Sequence, residues 1–141
     1  MTRAIRAALR GLLAMGALAC APADGPEPIA WDREPCAHCR MLIGDPAFAA
    51  QIVTADGVAA SFDDPGCLLS AEASHPAVRA VWFHHLREDR WIPGDQVGFV
   101  RVPRTPMGFG LGAVDAGEPG AVSLAQARDA VAAARPHRSE P

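Results

Sequence analysis

The segment Cys36–Met41 brings two thiols, an imidazole and a thioether within six residues of one another. Thiolate and thioether sulfurs are soft donors, which favour Cu(I) over hard cations such as Mg²⁺ or Ca²⁺. Zinc sites use cysteine, histidine and carboxylate ligands, so a methionine two residues after a cysteine favours copper. In an extended segment residues i and i+2 point to the same side. We therefore predict that Cys39 and Met41 bind one Cu(I) ion together.

Cu(I) is bound by two or three soft ligands, so this pair needs a further donor from elsewhere in the chain. Met107 is the best distant candidate, because Pro106 and Gly108 fix the backbone and let another segment approach closely. Each methionine also has a simpler interpretation as packing material. Met41 begins an apolar run, and Met107 can fill a gap in a glycine-rich strand.

Three more residues are candidate ligands, and the sequence leaves their roles open. Cys36 forms a CxxC pair with Cys39, which can bind metal or close into a disulfide. His38, between them, can bind the metal or tune the neighbouring thiolate. Cys67 opens a predicted helix whose dipole should lower its pKa, although a free cysteine is often a small buried residue.

The first 19 residues are typical of a secretory signal peptide, with three arginines before a short apolar run. That run is too short to span a bilayer as a mature helix. Cys20 follows Leu18-Ala19 as the lipidated cysteine does in a bacterial lipobox, although Ala17 stands where leucine is usual. A plain cleaved signal is the alternative. With an acylated Cys20 the protein is membrane-anchored, and residues 20–35, which include four prolines, form an extended tether.

Charge and composition exclude several classes of function. Removing residues 1–19 takes away three arginines and no acidic residue, which leaves 10 basic and 16 acidic side chains and a net charge of −6. This sign argues against nucleic acid or an anionic membrane surface as a partner. The chain has no phosphate-binding loop and no dinucleotide fingerprint. With Cys20 acylated, the three remaining cysteines cannot all pair within one chain, so at least one is free, shared between chains or metal-bound.

The hydrophobic pattern predicts an α+β fold in residues 36–135, followed by a tail at 136–141. Strands are predicted over 48–54, 58–62, 78–86 and 97–102, with a glycine-rich extended segment at 107–114. Asp63 or Asp64 caps a short helix, and a Ser123–Gln126 capping box opens a second helix to about Ala134. The elements can form two small antiparallel units or one antiparallel sheet covered on one face by two helices.

Four segments in order resemble the NosL family, over roughly residues 31–115: Cys36-x-x-Cys39-x-Met41, Phe62-Asp63-Asp64-Pro65-Gly66-Cys67-Leu68, Trp91-Ile92 and Thr105-Pro106-Met107-Gly108-Phe109-Gly110. The resemblance implies two ββαβ-type units, about 36–76 and 77–135, similar to part of an organomercurial lyase. It maps the copper ligands onto Cys39 and Met41, with Met107 as third donor and Cys36 in a less defined role.

The same resemblance implies a binder without turnover, not an enzyme. Such a protein is a periplasm-facing lipoprotein, on the outer rather than the inner membrane, that delivers one Cu(I) ion for assembly of the copper centres of nitrous-oxide reductase. Two alternatives stay open. One is a thiol-dependent enzyme, either a thiol–disulfide oxidoreductase using Cys36 and Cys39 or a metal–carbon lyase. The other is a zinc module using Cys36, His38, Cys39 and Cys67.

Overall fold

A computed structural model describes residues 25–134 of the chain. The predicted signal peptide, the lipidation site at Cys20 and the tail at 136–141 lie outside these residues. In the described part of the chain, two antiparallel sheets, of four and three strands, pack with two α-helices, which confirms the predicted α+β class. Within residues 25–134 no helix combines the length and the apolar character needed to cross a bilayer.

The first sheet has the strand order β2-β1-β3-β4, with every neighbouring pair antiparallel. Its strands are β1 Ala50–Thr54, β2 Ala59–Phe62, β3 Val78–His84 and β4 Trp91–Pro93. The β1–β2 connection turns at Gly57, whose φ of 83° lies in the left-handed region that glycine adopts without steric cost. The three-residue strand β4 was not predicted, because it is too short to show a period in the sequence.

Helix α1, Pro65–Ala71, connects β2 to β3. Asp64 is its N-cap and Pro65 its first residue. The prediction that Asp63 or Asp64 caps this helix is therefore confirmed, with Asp64 as the cap. A one-turn 3-10 helix, Glu72–Ser74, follows directly. Another, Pro46–Phe48, occupies the start of the predicted first strand, with Asp45 as its cap.

The second sheet has the order β6-β5-β7, from β5 Val97–Arg101, β6 Leu111–Asp115 and β7 Val122–Ser123, and helix α2 follows as Leu124–Ala134. The predicted capping box is present. The Gln126 N–H donates to Ser123 Oγ at 3.2 Å, and the Ser123 N–H donates to Gln126 Oε1 at 2.9 Å. The segment predicted to be extended from Met107 becomes a strand only at Leu111.

One continuous core joins the two sheets, with Phe83 of β3 and Phe99 of β5 in an edge-to-face contact at 5.0 Å. The chain passes from one sheet to the other between Pro93 and Val97, later than the predicted boundary at 76/77. The first sheet follows the order ββαβ with β4 added, whereas the second runs βββα. Cys36 and Cys67 belong to this core, so the candidate ligands are part of the packed interior.

Candidate metal centre

Three cysteines from two separate segments meet at one point. The sulfurs of Cys36, Cys39 and Cys67 all lie within 4.8 Å of one another, and all three residues are free thiols. Cys36 and Cys67 are completely buried, whereas Cys39 is partly exposed. Metal–thiolate bonds of about 2.3 Å fit this spacing, so the cluster could hold one metal ion.

Cys36 and Cys39 lie in a tight turn, residues 35–42, which we call the cysteine turn. Pro35 and Leu42 form an antiparallel bridge at its base. The Cys36 N–H donates to the Met41 carbonyl at 2.8 Å, and the Arg40 N–H donates to the Cys36 carbonyl at 3.1 Å. These bonds hold the turn closed independently of any metal.

The backbone between Cys39 and Met41 is not extended, contrary to the assumption behind the predicted pairing of their sulfurs. Arg40 has a φ of 69°, in the left-handed region, so the chain reverses at this residue. The same-face rule for i and i+2 holds only in a strand and does not apply here. Met41 keeps a connection to the site through its N–H group, which donates to the Cys39 sulfur.

Cys36 is the cysteine of the cluster whose thiolate form is favoured. The Cys67 thiol donates to its sulfur, and so do the backbone N–H groups of Asp63, Cys39 and His38, and together they lower the pKa of Cys36 below its ordinary value despite burial. The pKa of Cys67 is raised, first because its proton is held by Cys36 and then because it is buried. The pKa of Cys39 is raised mainly by desolvation.

The expectation that the helix dipole lowers the pKa of Cys67 is therefore wrong. Helix α1 has only seven residues, and Asp64 already satisfies its first free N–H. A partner thiolate at hydrogen-bonding distance and complete burial outweigh the partial charge of so short a helix. Cys67 enters the cluster as a thiol that donates a hydrogen bond to the Cys36 sulfur.

Helix α1 and the cysteine turn are joined through the end of β2. The Ala37 N–H donates to the Ser61 carbonyl at 2.9 Å, and the Cys67 N–H donates to the Asp64 carbonyl at 2.9 Å. Between them lies Asp63, buried, with a raised pKa caused first by that burial. The Gly44 N–H lies 3.4 Å from the Asp63 carboxylate. A buried carboxyl beside a thiolate adds negative potential at the site, which favours a bound cation.

The loop Thr105–Gly110, here the Met107 loop, is docked on the N-terminus of α1. The Met107 N–H donates to Asp64 Oδ2 at 2.9 Å. The ring of Phe109 covers Gly66 so closely that a Cβ there would lie 2.0 Å from the ring. Met107 is thus held next to the helix that carries Cys67, although the sequence places the two 40 residues apart.

The structure thus assembles Cys36, Cys39 and Cys67, of which sequence reasoning had made Cys67 a lesser candidate. Met41 lies in the cysteine turn and Met107 in the loop docked at Asp64 and Gly66, and their side chains are 59% and 41% exposed. His38 lies in the cysteine turn with an exposed side chain. The signal for Cys67 was the odd number of cysteines that remain if Cys20 is acylated, which requires at least one to be free, shared between chains or metal-bound.

The histidines of the first sheet stand apart from the cluster. Both His84 and His85 are buried, at 6% and 2% exposure. His84 Nε2 lies 3.2 Å from the Asp89 carboxylate, and His85 Nδ1 accepts the N–H groups of Arg87 and Glu88 at 3.1 Å. Within residues 25–134, the three cysteines are the one group of three or more Cys, His, Asp or Glu residues with this metal-binding geometry.

Comparisons of the chain with protein-family models, with curated proteins and with solved structures found no match. The resemblance to the NosL family therefore rests on the four sequence segments.

Proposed function

We propose that this protein is a copper carrier, which binds one Cu(I) ion through the sulfurs of Cys36, Cys39 and Cys67 and passes it to a partner protein. The convergence of these sulfurs within 4.8 Å of one another carries the proposal. Cu(I) favours such soft donors and low coordination numbers. The ion is cargo: it arrives, is held and leaves by exchange of ligands.

The three cysteine ligands differ in their exposure to solvent, and this difference suits transfer of Cu(I) to a partner protein. Two of the thiols are completely buried, and Cys39 is partly open to solvent. An incoming sulfur ligand can approach the metal at Cys39, and the thioethers of Met41 and Met107 are exposed as well. A thioether has no proton to lose, so it can bind and release Cu(I) without proton transfer.

The client and the location follow from the NosL resemblance. They are nitrous-oxide reductase or its assembly machinery, and the periplasm-facing side of a membrane to which an acylated Cys20 anchors the chain. The four resembling segments support this, since three of them supply residues of the cluster or of the loop docked beside it: the cysteine turn, the segment with Asp64 and Cys67, and the Met107 loop.

Thiol–disulfide catalysis fits the same cysteines less well. An oxidoreductase needs an accessible cysteine of low pKa as its nucleophile. Here the cysteine with the lowered pKa, Cys36, is completely buried, and the exposed one, Cys39, has a raised pKa. The two properties that catalysis must combine are divided between two residues.

Zinc binding is the second candidate, because three cysteines and a nearby histidine form a known structural zinc set. His38 lies within the cysteine turn and its side chain is exposed, so it is available as a fourth ligand. In a zinc module His38→Ala should weaken binding strongly, whereas Met41→Leu and Met107→Leu should have no effect. A copper carrier should show the reverse order.

An anaerobic titration of the reduced protein with Cu(I), in competition with a chromogenic chelator, tests the proposal. Cys36→Ser, Cys39→Ser and Cys67→Ser should each weaken binding by at least about 100-fold, since losing a ligand costs more than losing an outer partner. Cys20→Ser is the matched control, because it removes a thiol that is assigned to lipidation. Equal affinity in Cys67→Ser and the wild-type protein would refute the three-cysteine site.

A further inference from the structure

The carboxylate of Asp64 is completely buried and divides its two oxygens between two segments of the chain. Oδ1 accepts the Gly66 N–H at 2.8 Å, in the first turn of α1 next to Cys67. Oδ2 accepts the Met107 N–H at 2.9 Å. One side chain therefore connects the helix of a cysteine ligand to the loop of a methionine.

Further contacts hold the Met107 loop in this place. Phe109 packs on Gly66, which has no side chain to keep the ring away. The Gly108 N–H donates to the Thr105 carbonyl at 3.1 Å, and the Gly110 N–H donates to Thr105 Oγ1 at 3.2 Å. The loop is compact by itself, and its contacts with Asp64 and Gly66 attach it to the helix that carries Cys67.

We propose that Asp64 is a positioning residue that holds the thioether of Met107 against the cysteine cluster and so sets the affinity for Cu(I). This rests on the proposed copper function. A hydrogen bond from a backbone N–H to a buried carboxylate is stronger than one between neutral groups, so the loop is fixed before the metal arrives. Met107 then contributes as a ligand without the cost of ordering its backbone at the moment of binding.

Asp64→Ser separates the two roles of this carboxylate. A serine hydroxyl caps a helix about as well as aspartate does, so the Gly66 contact and the start of α1 are kept. Serine has one side-chain oxygen, which leaves the Met107 N–H without its acceptor. Affinity for Cu(I) should fall about 10-fold or more, the size seen when an outer partner of a metal ligand is lost.

A double-mutant cycle with Met107→Leu shows whether Asp64 acts through Met107. The double variant should bind Cu(I) no more weakly than Met107→Leu alone, because the thioether that Asp64 positions is already gone. Protein labelled with ¹³C at the methionine methyl groups gives a direct readout. The Met107 methyl resonance should shift on Cu(I) binding in the wild type and should not shift in Asp64→Ser.

Asp45→Ser is the matched control, since Asp45 caps the one-turn helix at Pro46 and is exposed. It should leave both the affinity and the Met107 shift unchanged. Asp64→Asn, which places an amide where one acceptor oxygen was, serves if the serine variant does not fold.

Unchanged affinity in the Asp64 variant, or losses that add to that of Met107→Leu, would overturn the inference while the wild-type protein still binds Cu(I). A wild-type protein that binds no Cu(I) would overturn the proposed function itself.

Discussion

Cys36 and Cys67 are both completely buried, yet their pKa values shift in opposite directions, because the Cys67 thiol donates a hydrogen bond to the Cys36 sulfur. A metal bound by all three sulfurs must displace the protons of Cys67 and Cys39. The site is therefore held together before loading by a hydrogen bond that the metal replaces.

This exchange predicts a pH dependence. The pKa values of Cys39 and Cys67 are raised, so both are protonated near neutral pH in the metal-free protein and deprotonated in the loaded one. Rising pH favours the deprotonated form, so the affinity for Cu(I) should increase with pH, up to about tenfold per pH unit for each proton released. Competition titrations between pH 6 and 8 measure this. An affinity that does not change with pH would mean that binding releases no proton. That result is expected if the ligands are two thioethers and a Cys36 thiolate.

For individual residues, the sequence indicated which types of side chain form the site, but it did not indicate which of them come together in space. Soft donors at Cys36, Cys39 and Met41 could be read from their spacing. The role of Cys67 could not, because the pKa argument for it used its own helix and the decisive partner, Cys36, lies 31 residues earlier. Likewise, the left-handed φ of Arg40 depends on the closure of the whole turn.

At the level of elements, the contact of Phe109 with Gly66 joins the Met107 loop to α1. Gly66→Ala would place a Cβ 2.0 Å from the ring and displace it. Overpacking of this kind costs about 1–3 kcal/mol of folding free energy. We expect that loss in chemical unfolding, together with weaker Cu(I) binding in the folded protein, since the loop must move away. Gly25→Ala is the control, because nothing lies within 4 Å of its added Cβ. A free energy of unfolding in Gly66→Ala equal to that of the wild-type protein would contradict this packing.

Elements with local signals were predicted, and those that depend on distant partners were not. The Asp64 cap with Pro65 and the Ser123–Gln126 box each involve neighbours within four residues. In contrast, β4 exists because Trp91–Pro93 pairs with β3. The Met107 loop replaces the first residues of an expected extended segment because glycines at 108 and 110 adopt positive φ. Glycine permits such a turn without requiring it.

Over the whole molecule, acidic side chains outnumber basic ones. The chain without residues 1–19 has a net charge of −6, which predicts docking to a basic surface of the copper acceptor. The transfer rate from the loaded protein to its acceptor should therefore fall as ionic strength rises from about 0.01 to 0.15 M, because the Debye length shortens from about 30 to 8 Å. Stopped-flow transfer to the proposed client, purified nitrous-oxide reductase lacking copper, measures this. A rate independent of salt would exclude electrostatic docking.

The fold class could be predicted because alternating and helical patterns mark most of the elements. The division between sheets could not, since β3 and β4 join the first sheet by pairing that leaves no mark in the sequence. The shared core, with Phe83 against Phe99, makes the two sheets one packed body around the buried cysteines.

X-ray absorption at the copper edge, on the anaerobically loaded protein, tests the central claim most directly. We expect a first shell made only of sulfur, with at least three scatterers at about 2.3 Å, that loses one sulfur in Cys67→Ser. A nitrogen ligand, or a shell that Cys67→Ser leaves unchanged, would contradict the three-cysteine copper site.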